Sequence, residues 1–526
     1  MSQEEIPVVI VGGSLVGLTT AMLLGWHGIP SLAVERHAGT AIHARAGHFQ
    51  LGTTEMLRQV GLEDTVREAS LRTYHPTGGI VSVESLAGEE RATYVKELNE
   101  GVEGFSPARR VFVNQDALEP ILRERATELG ASVVNRTEAV GIEEDADGAT
   151  VTLRDLDTGG ERTVRARYVV AADGNRSPTR ARLGVAMDGH RDLSRSITIY
   201  FRADCAPLLR DRNQGVMYVH NADLRGFFRL DRTLGTGFLV INSVGEDVTR
   251  PEAVSVSEGM TEERAHALLQ AAIGTPDIPA EILQIVHWRA EATVATRMRV
   301  GRVFLAGDAA HVVPPNGGFG GNMGILDARN LGWKLAAVLS GEAGPALLDT
   351  YEEERLPLAR LVVEQAYNRY ATRVVPERGT DDVQPFVDDL TIEIGLVARS
   401  RAVVDDGEED AGALHLPPAE TRGRPGTRAP HVALGPDRST LDLCGRSFVL
   451  LRPAGAGANG WAPPGVEVHA IEADGFADAY GISPQGASLV RPDGVVGWRS
   501  RGPFDRGELE SALASILARD YATAAA

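Results

Sequence analysis

The sequence predicts an α/β protein built around a parallel sheet, and three stretches carry that prediction. They are "VVIVGGSLVGL" (Val8–Leu18), "RYVVAADGNRSPTR" (Arg167–Arg180) and "RVFLAGDAAHVVPPNGGFGGN" (Arg302–Asn322). Each is a short aliphatic run that ends in glycine or aspartate. Continuous apolar runs of this length mark strands buried on both faces. Open α/β sheets gather their ligands at the carboxyl ends of such strands.

The first thirty-six residues read as strand, helix, strand. "IPVVIV" is the first strand, and "LVGLTTAMLLGWHG" has helical apolar spacing and stops at Gly28. "SLAVER" is the second strand, with Glu35 at its end, 18 residues after Gly17. Between strand and helix lie Gly12, Gly13, Ser14, Leu15, Val16 and Gly17, a GxGxxG fingerprint with serine in place of its middle glycine. The glycines let a pyrophosphate approach the helix N-terminus, and an acid at the position of Glu35 suits ribose hydroxyls. Taken alone, an imperfect fingerprint is also what a glycine turn in another α/β protein would show. The second and third stretches add Asp173-Gly174 and Gly307-Asp308 at two further strand ends, and a helix opening near Asn322.

Residues 75–105 and 186–295 read differently. "SITIYFRAD", "GVMYVH", "RGFFRL" and "GTGFLVIN" alternate with period two between turn signals, which predicts an antiparallel sheet. Helical sequence follows Lys334. The acidic, Pro/Gly-rich run over 395–425 reads as a linker, and residues 426–526 alternate strands with turns. The chain has 526 residues and a net charge of −19. Such acidity repels nucleic acid and anionic membranes, so neither is an expected partner. The N-terminus lacks the positive charge of a secretion signal, no apolar run reaches membrane-spanning length, and the two cysteines have no metal or redox spacing. The expectation is a cytoplasmic protein without a metal, monomer or homodimer.

Together the motifs resemble the class A FAD-dependent aromatic hydroxylases, the p-hydroxybenzoate hydroxylase superfamily. The second motif of that family is matched by Asp173, Gly174, Ser177 and Arg180. The third is matched by Gly307, Asp308, Pro314, Pro315, Gly317, Gly318, Gly320, Asn322, Gly324, Asp327, Asn330, Trp333 and Lys334. The bacterial aromatic polyketide hydroxylases of tetracenomycin and anthracycline type are similar in particular.

The resemblance implies a Rossmann-like FAD-binding domain (1–74, 106–185 and 296–394), a substrate-binding sheet domain (75–105 and 186–295) and a thioredoxin-like C-terminal domain (426–526). Lone Cys444 gives that last domain no CxxC redox site. The resemblance implies that Gly12 to Gly17, Glu35, Arg36, Arg45, Gln115, Asp173, Gly307 and Asp308 hold FAD. So do Pro315, Gly317, Gly318, Gly320, Gly321, Asn322 and Met323. Ser14 is read as a tolerated variant whose hydroxyl can donate to the pyrophosphate. With a single dinucleotide fingerprint, NADPH or NADH must visit the flavin transiently.

The implied reaction is hydroxylation of a polycyclic aromatic polyketide, with dioxygen as co-substrate, through a flavin hydroperoxide. Pro315 and Arg373 are the catalytic candidates, Arg373 as a stabiliser of phenolate. Met217, Tyr218, Phe227, Phe228 and Phe238 are candidate lining residues for the substrate, or ordinary sheet core. His311 in "GDAAH" is read as packing rather than catalysing. A Baeyer–Villiger or ring-rearranging oxygenase and an oxygen-independent FAD dehydrogenase remain open alternatives.

Overall fold

The structure, a computed structural model, describes residues 4–42, 46–75, 78–209, 214–232, 235–245, 255–374, 381–409, 412–455 and 462–519. Arg45 lies outside the described residues.

The apolar runs form a parallel sheet. Glu4–Val11 pairs in parallel with Ser31–Val34 on one side and Glu161–Ala171 on the other. Ser132–Val134 extends the first side and Val303–Leu305 the second. Val8, Val9 and Ile10 are fully buried, so the second half of this central strand has no solvent face. Chain order reverses on either side of Glu4–Val11, between its ends and those of Glu161–Ala171. That switch point is where sheets of this kind open a crevice. Helix Leu15–Trp26 leaves the first strand into the core and ends before Gly28, whose φ of +78° suits glycine.

A second, eight-stranded sheet stands over this crevice. It runs in space from His311–Val312 through Glu281–Ala295, Met187–Arg202, Thr236–Val244, Leu224–Leu230, Gln214–His220 and Gly79–Val83 to Glu90–Val95. The pairings are antiparallel except one. Gln214–His220 runs parallel to Gly79–Val83, a departure from the expected antiparallel sheet. The exception arises because those two strands are not joined by a hairpin but come from distant parts of the chain. Helix Glu262–Ile273 covers one face and buries Leu269, Ala272 and Ile273 with Phe201 and Phe228.

In the C-terminal domain, Phe448–Pro453 pairs in parallel with Val466–Ile471 and antiparallel with Ala487–Val490, which pairs antiparallel with Val496–Ser500. This is the thioredoxin-like strand arrangement, closed by helix Arg506–Ile516. Residues 395–425 contain a short helical turn, Pro418–Glu420, and are well anchored: Ala402 is fully buried and Asp406 accepts from Arg499. Cys205 and Cys444 are free and buried. Among the described residues, no helix is long and apolar enough to cross a membrane, and no cluster could hold a metal.

The C-terminal sheet does not fold beside the rest; it shares its core. Phe448, Leu450, Leu489 and Trp498 belong to the same cluster as Val9 and Leu331, and Trp333 meets Phe448 edge-on at 5.6 Å. A buried ionic knot fixes the contact. Glu354, on helix Asp349–Arg373, accepts from Lys334 at 2.9 Å, from Arg491 at 2.7 and 2.9 Å, and from Ser400 at 2.6 Å. Asp493 takes the other edge of Arg491. Burial pushes the Lys334 ammonium down to about 8, against the pull of Glu354. Burial raises the Glu354 carboxyl, but Arg491 and Lys334 outweigh it and hold the group ionised.

Removing the shared acceptor leaves the buried Lys334 ammonium without a carboxylate and Arg491 with Asp493 alone. Glu354→Ala should therefore lose roughly 3–5 kcal/mol of unfolding free energy. Urea titration followed by tryptophan fluorescence measures this. A loss below about 1 kcal/mol, the range of exposed pairs, would refute the knot's role.

Candidate active site

At the switch point the backbone passes where no side chain fits. A Cβ on Gly12, at φ +107°, would stand 2.2 Å from the Ala172 carbonyl oxygen. One on Gly17 would stand 1.8 Å from the Gly12 oxygen, and one on Gly13 would stand 2.7 Å from Glu35 Cβ. These contacts bring the helix N-terminus against two strand ends. Glu35 accepts from the Gly13 and His37 N–H groups, both at 2.8 Å, and keeps further lone pairs for a ligand.

Ser14 behaves differently from the expectation. Its hydroxyl donates to the Glu119 carboxylate, not outward. Glu119 is fully buried and also accepts from Leu15 N at 2.9 Å, Ala41 N at 2.6 Å and Gln115 Nε2 at 2.7 Å. Gln115 also donates to Ser14 Oγ at 3.0 Å and accepts from Ala46 N at 3.3 Å. The serine is thus part of a frame under the fingerprint. Glu119 was not among the residues expected from sequence. Its signal was the four-residue spacing from Gln115, which puts both on one helix face.

The other strand ends are braced in the same way. Asp173 accepts from Ser177 Oγ at 2.5 Å and Thr179 N at 3.0 Å, and Ser177 caps helix Pro178–Arg182. Arg180 donates to the Ala309 carbonyl at 2.9 Å, tying the second motif to the third. Asp327 accepts from Gly307 N at 3.0 Å, His311 Nε2 at 2.6 Å and Arg355 Nε at 2.8 Å. Burial raises its pKa, but His311 and Arg355 outweigh that and hold the carboxyl below its usual range. His311 is fully buried in this clamp. Asp308, beside it, is exposed at the sheet edge.

The third motif's helix runs Phe319–Leu339, three residues earlier than expected. Gly320 and Gly321 read as loop but form its first turn, and Gly318 leads in at φ +68°. No side chain caps this N-terminus and no acid lies in its first turn. Gly324 lies close against Val16 and Gly307, which locks this helix to the fingerprint. The Asn322 side chain is spent inside the protein: it donates to His48 O and Gly318 O and accepts from Gln50 N and Thr53 Oγ1. Met323 turns its side chain into the core. Neither side chain is left to meet a ligand, and the N–H groups free to do so are those of the helix's first turn. Pro315 is exposed on the loop, and its carbonyl accepts from Gly318 N at 3.1 Å.

Facing the loop is the eight-stranded sheet, and its period-two alternation divides the five aromatic and apolar candidates. Tyr218, Phe227 and Phe238 cluster with Tyr200, Val240 and Trp288 on one face. Met217 and Phe228 point to the opposite face, into the core under helix Glu262–Ile273, so they do not line the pocket. Burial pushes the Tyr218 phenol up, opposed by the Arg373 guanidinium and the Asn316 amide beside it. Arg373, Tyr218 and the loop at Pro315-Asn316 are therefore brought together. Asn316 is 1% exposed, and its two amide atoms make no well-formed protein hydrogen bond.

A family model described as FAD binding domain matches residues 5–366, and one described as aromatic-ring hydroxylase, C-terminal, matches 422–519. The chain belongs to the class A flavoprotein hydroxylases. It is 51% identical, over 98% of both chains, to the 4-methyl-5-nitrocatechol 5-monooxygenase of a Burkholderia species. It is 38% identical, over 99% of both, to the tetracenomycin A2 monooxygenase-dioxygenase of Streptomyces glaucescens. A crystal structure of aklavinone-11 hydroxylase with FAD and aklavinone superposes with a TM-score of 0.90 at 34% identity, covering 99% of this chain and all of that one.

The residues present fit the FAD that this hydroxylase family binds. The close backbone contacts at Gly12 and Gly17 hold the first helix N-terminus at the crevice, Gly324 locks the second beside it, and the free N–H groups and dipoles of both suit a pyrophosphate. Glu35 and Asp308 offer carboxylates at the two strand ends where diol groups would lie. Arg36 is exposed beside Glu35. Two substitutions test the cradle. Gly17→Ala should give protein with little bound flavin, because its Cβ overlaps a backbone oxygen. Asp308→Ala should lose roughly 1.5–3 kcal/mol of FAD affinity for each charged hydrogen bond removed. The flavin absorbance ratio of purified protein, followed by FAD titration, measures both. Full, tightly held flavin in Gly17→Ala would overturn the cradle.

Proposed function

We propose that the chain hydroxylates a phenolic ring, using NAD(P)H as reductant and dioxygen as oxidant. What supports this most is 51% identity across the whole chain to a monooxygenase named for a nitrocatechol. Bound FAD supplies the redox chemistry. The chain's own residues bind, orient and shield. Phe227 and Phe238 form an aromatic floor for a ring, and the loop at Pro315–Gly318 presents backbone at its edge. The uncapped helix Phe319–Leu339 favours negative charge at its N-terminus. Arg373 and Tyr218 close one end of the slot. The single dinucleotide cradle supports a transient visit by NAD(P)H. Free buried cysteines suit a reducing cytoplasm.

A substituted single-ring catechol is the first substrate class. A polycyclic aromatic polyketide is the second, favoured by the aklavinone-bound structure and the tetracenomycin enzyme. Both share a phenol whose ionisation raises the electron density of its ring. Turnover of 4-methyl-5-nitrocatechol should consume NAD(P)H and dioxygen, with nitrite released where oxygen replaces the nitro group. Mass spectrometry after turnover under isotopically heavy dioxygen should find one heavy atom in the product. Product oxygen drawn from water alone, or unchanged turnover without dioxygen, would overturn the monooxygenase reading. A higher kcat/KM for a hydroxyanthraquinone than for the nitrocatechol would select the polyketide class, and a heavy lactone the Baeyer–Villiger alternative.

A further inference from the structure

Arg229 is a buried cation without a counter-ion. Its residue is 6% exposed, and no carboxylate among the described residues pairs with it. Among the described residues, its one hydrogen bond runs from Nη2 to the Gly47 carbonyl at 2.8 Å. Nε is buried with no partner. The guanidinium instead lies among aromatic rings, 4.6 Å from the centre of Tyr74, 5.2 Å from Phe112 and 5.9 Å from Phe238. Cation–π contact offsets only part of the desolvation of a buried charge. Such a group calls for an anion that the described residues do not supply.

The position says what kind of anion. Arg229 lies two residues after Phe227 on strand Leu224–Leu230, hence on the same face of the sheet, and it pairs across with Phe238. Rings link Tyr218, Phe227 and Phe238 in series at 5.8 and 6.4 Å. The aromatic floor therefore has Tyr218, Asn316 and Arg373 at one end and Arg229 at the other. A Cβ on Gly47 would stand 1.7 Å from Arg229 Nη1, so the segment Gly47–Gln50, which Asn322 binds to the third motif's helix, has shed a side chain to admit the guanidinium. Among the described residues, Nη1 donates to no acceptor. A planar aromatic anion lying on the floor meets the free edge of the fork.

We propose that Arg229 is the anion-recognition residue of the pocket and takes the phenolate oxygen of the aromatic substrate. The inference rests on the phenolic reading above. A neutral phenol releases its proton to solvent as it binds, and the ring is held as the electron-rich form that hydroxylation needs. The groups facing Arg229 do not compete for this task. Tyr74 spends its hydroxyl on Asn114, Asp116 is exposed on helix Gln115–Glu128, and burial, then Arg110 and Arg229, push the His48 imidazole down to about 4, which keeps it neutral.

The test uses FAD-loaded full-length enzyme and two coloured phenols, 4-methyl-5-nitrocatechol and a hydroxyanthraquinone, whose visible bands report ionisation. In the wild type, the bound probe should ionise roughly 1–3 pH units below the free probe, the usual effect of an adjacent opposite charge. Arg229→Gln should abolish that shift, Arg229→Lys should keep part of it, and Gly47→Ala, which moves the guanidinium without removing its charge, should shrink it. Flavin content and circular dichroism confirm that each variant is folded. The same probe pKa in wild type and Arg229→Gln would overturn the proposal. So would an unchanged probe with an altered reduced-flavin spectrum, which would assign the guanidinium to the flavin. Failure of both probes to bind the wild type would also overturn it. The heavy-dioxygen experiment tests the reaction separately and with other phenols.

Discussion

The structure depends on a single steric constraint: backbone must approach backbone at the carboxyl edge of the parallel sheet. Gly12 against Ala172, Gly17 against Gly12, and Gly324 against Val16 and Gly307 leave no space for a Cβ. This is why the two long helices aim their N-termini at one crevice. A ligand there is met by N–H groups and dipoles rather than by long side chains, which costs no rotamer entropy on binding. Side chains act one layer back. Glu119, Asp327 and Arg180 are braces, each joining segments far apart in sequence.

This layering explains what was legible in the sequence. Gly12, Gly17, Gly307 and Asp308 stand at ends of apolar runs, and both the runs and the glycines are local signals. So were Glu35 and Gln115. The braces are non-local: the pairing of Glu119 with Ser14 spans more than a hundred residues, and no local pattern encodes it. Ser14 looked like a residue turned toward a ligand because the partner below it was invisible. The helix begins at Phe319 although glycine is a poor helix former, because Gly320 packs near Val313 and Gly321 near Leu15 and Ala46, and these tertiary contacts override propensity.

The sheet face shows the same limit. Period two was readable in "GVMYVH" and "RGFFRL", and the strands formed, but nothing in either segment said which parity faces the crevice. The covering helix Glu262–Ile273 decides it, by burying Phe228 and leaving Phe227 and Arg229 opposite. Arg229 gave no signal at all. An arginine in a strand reads as solvent-facing, and its burial follows from Tyr74 and Phe112, which come from another part of the chain.

The ionic knot around Glu354 redraws the meaning of a domain here. Its members come from the third motif's helix, the long helix after it, the irregular segment near Ser400 and the hairpin at Arg491. A ribosome making this chain completes the cofactor-cradling part long before it reaches Arg491. Until then Glu354 has Lys334 as its one cationic partner, and the sheet that carries Phe448 lacks strand Val496–Ser500. The cofactor region is therefore finished only when the last tenth of the polypeptide has been made. The thioredoxin-like appendix serves as the closing stone of the fold rather than an ornament on it.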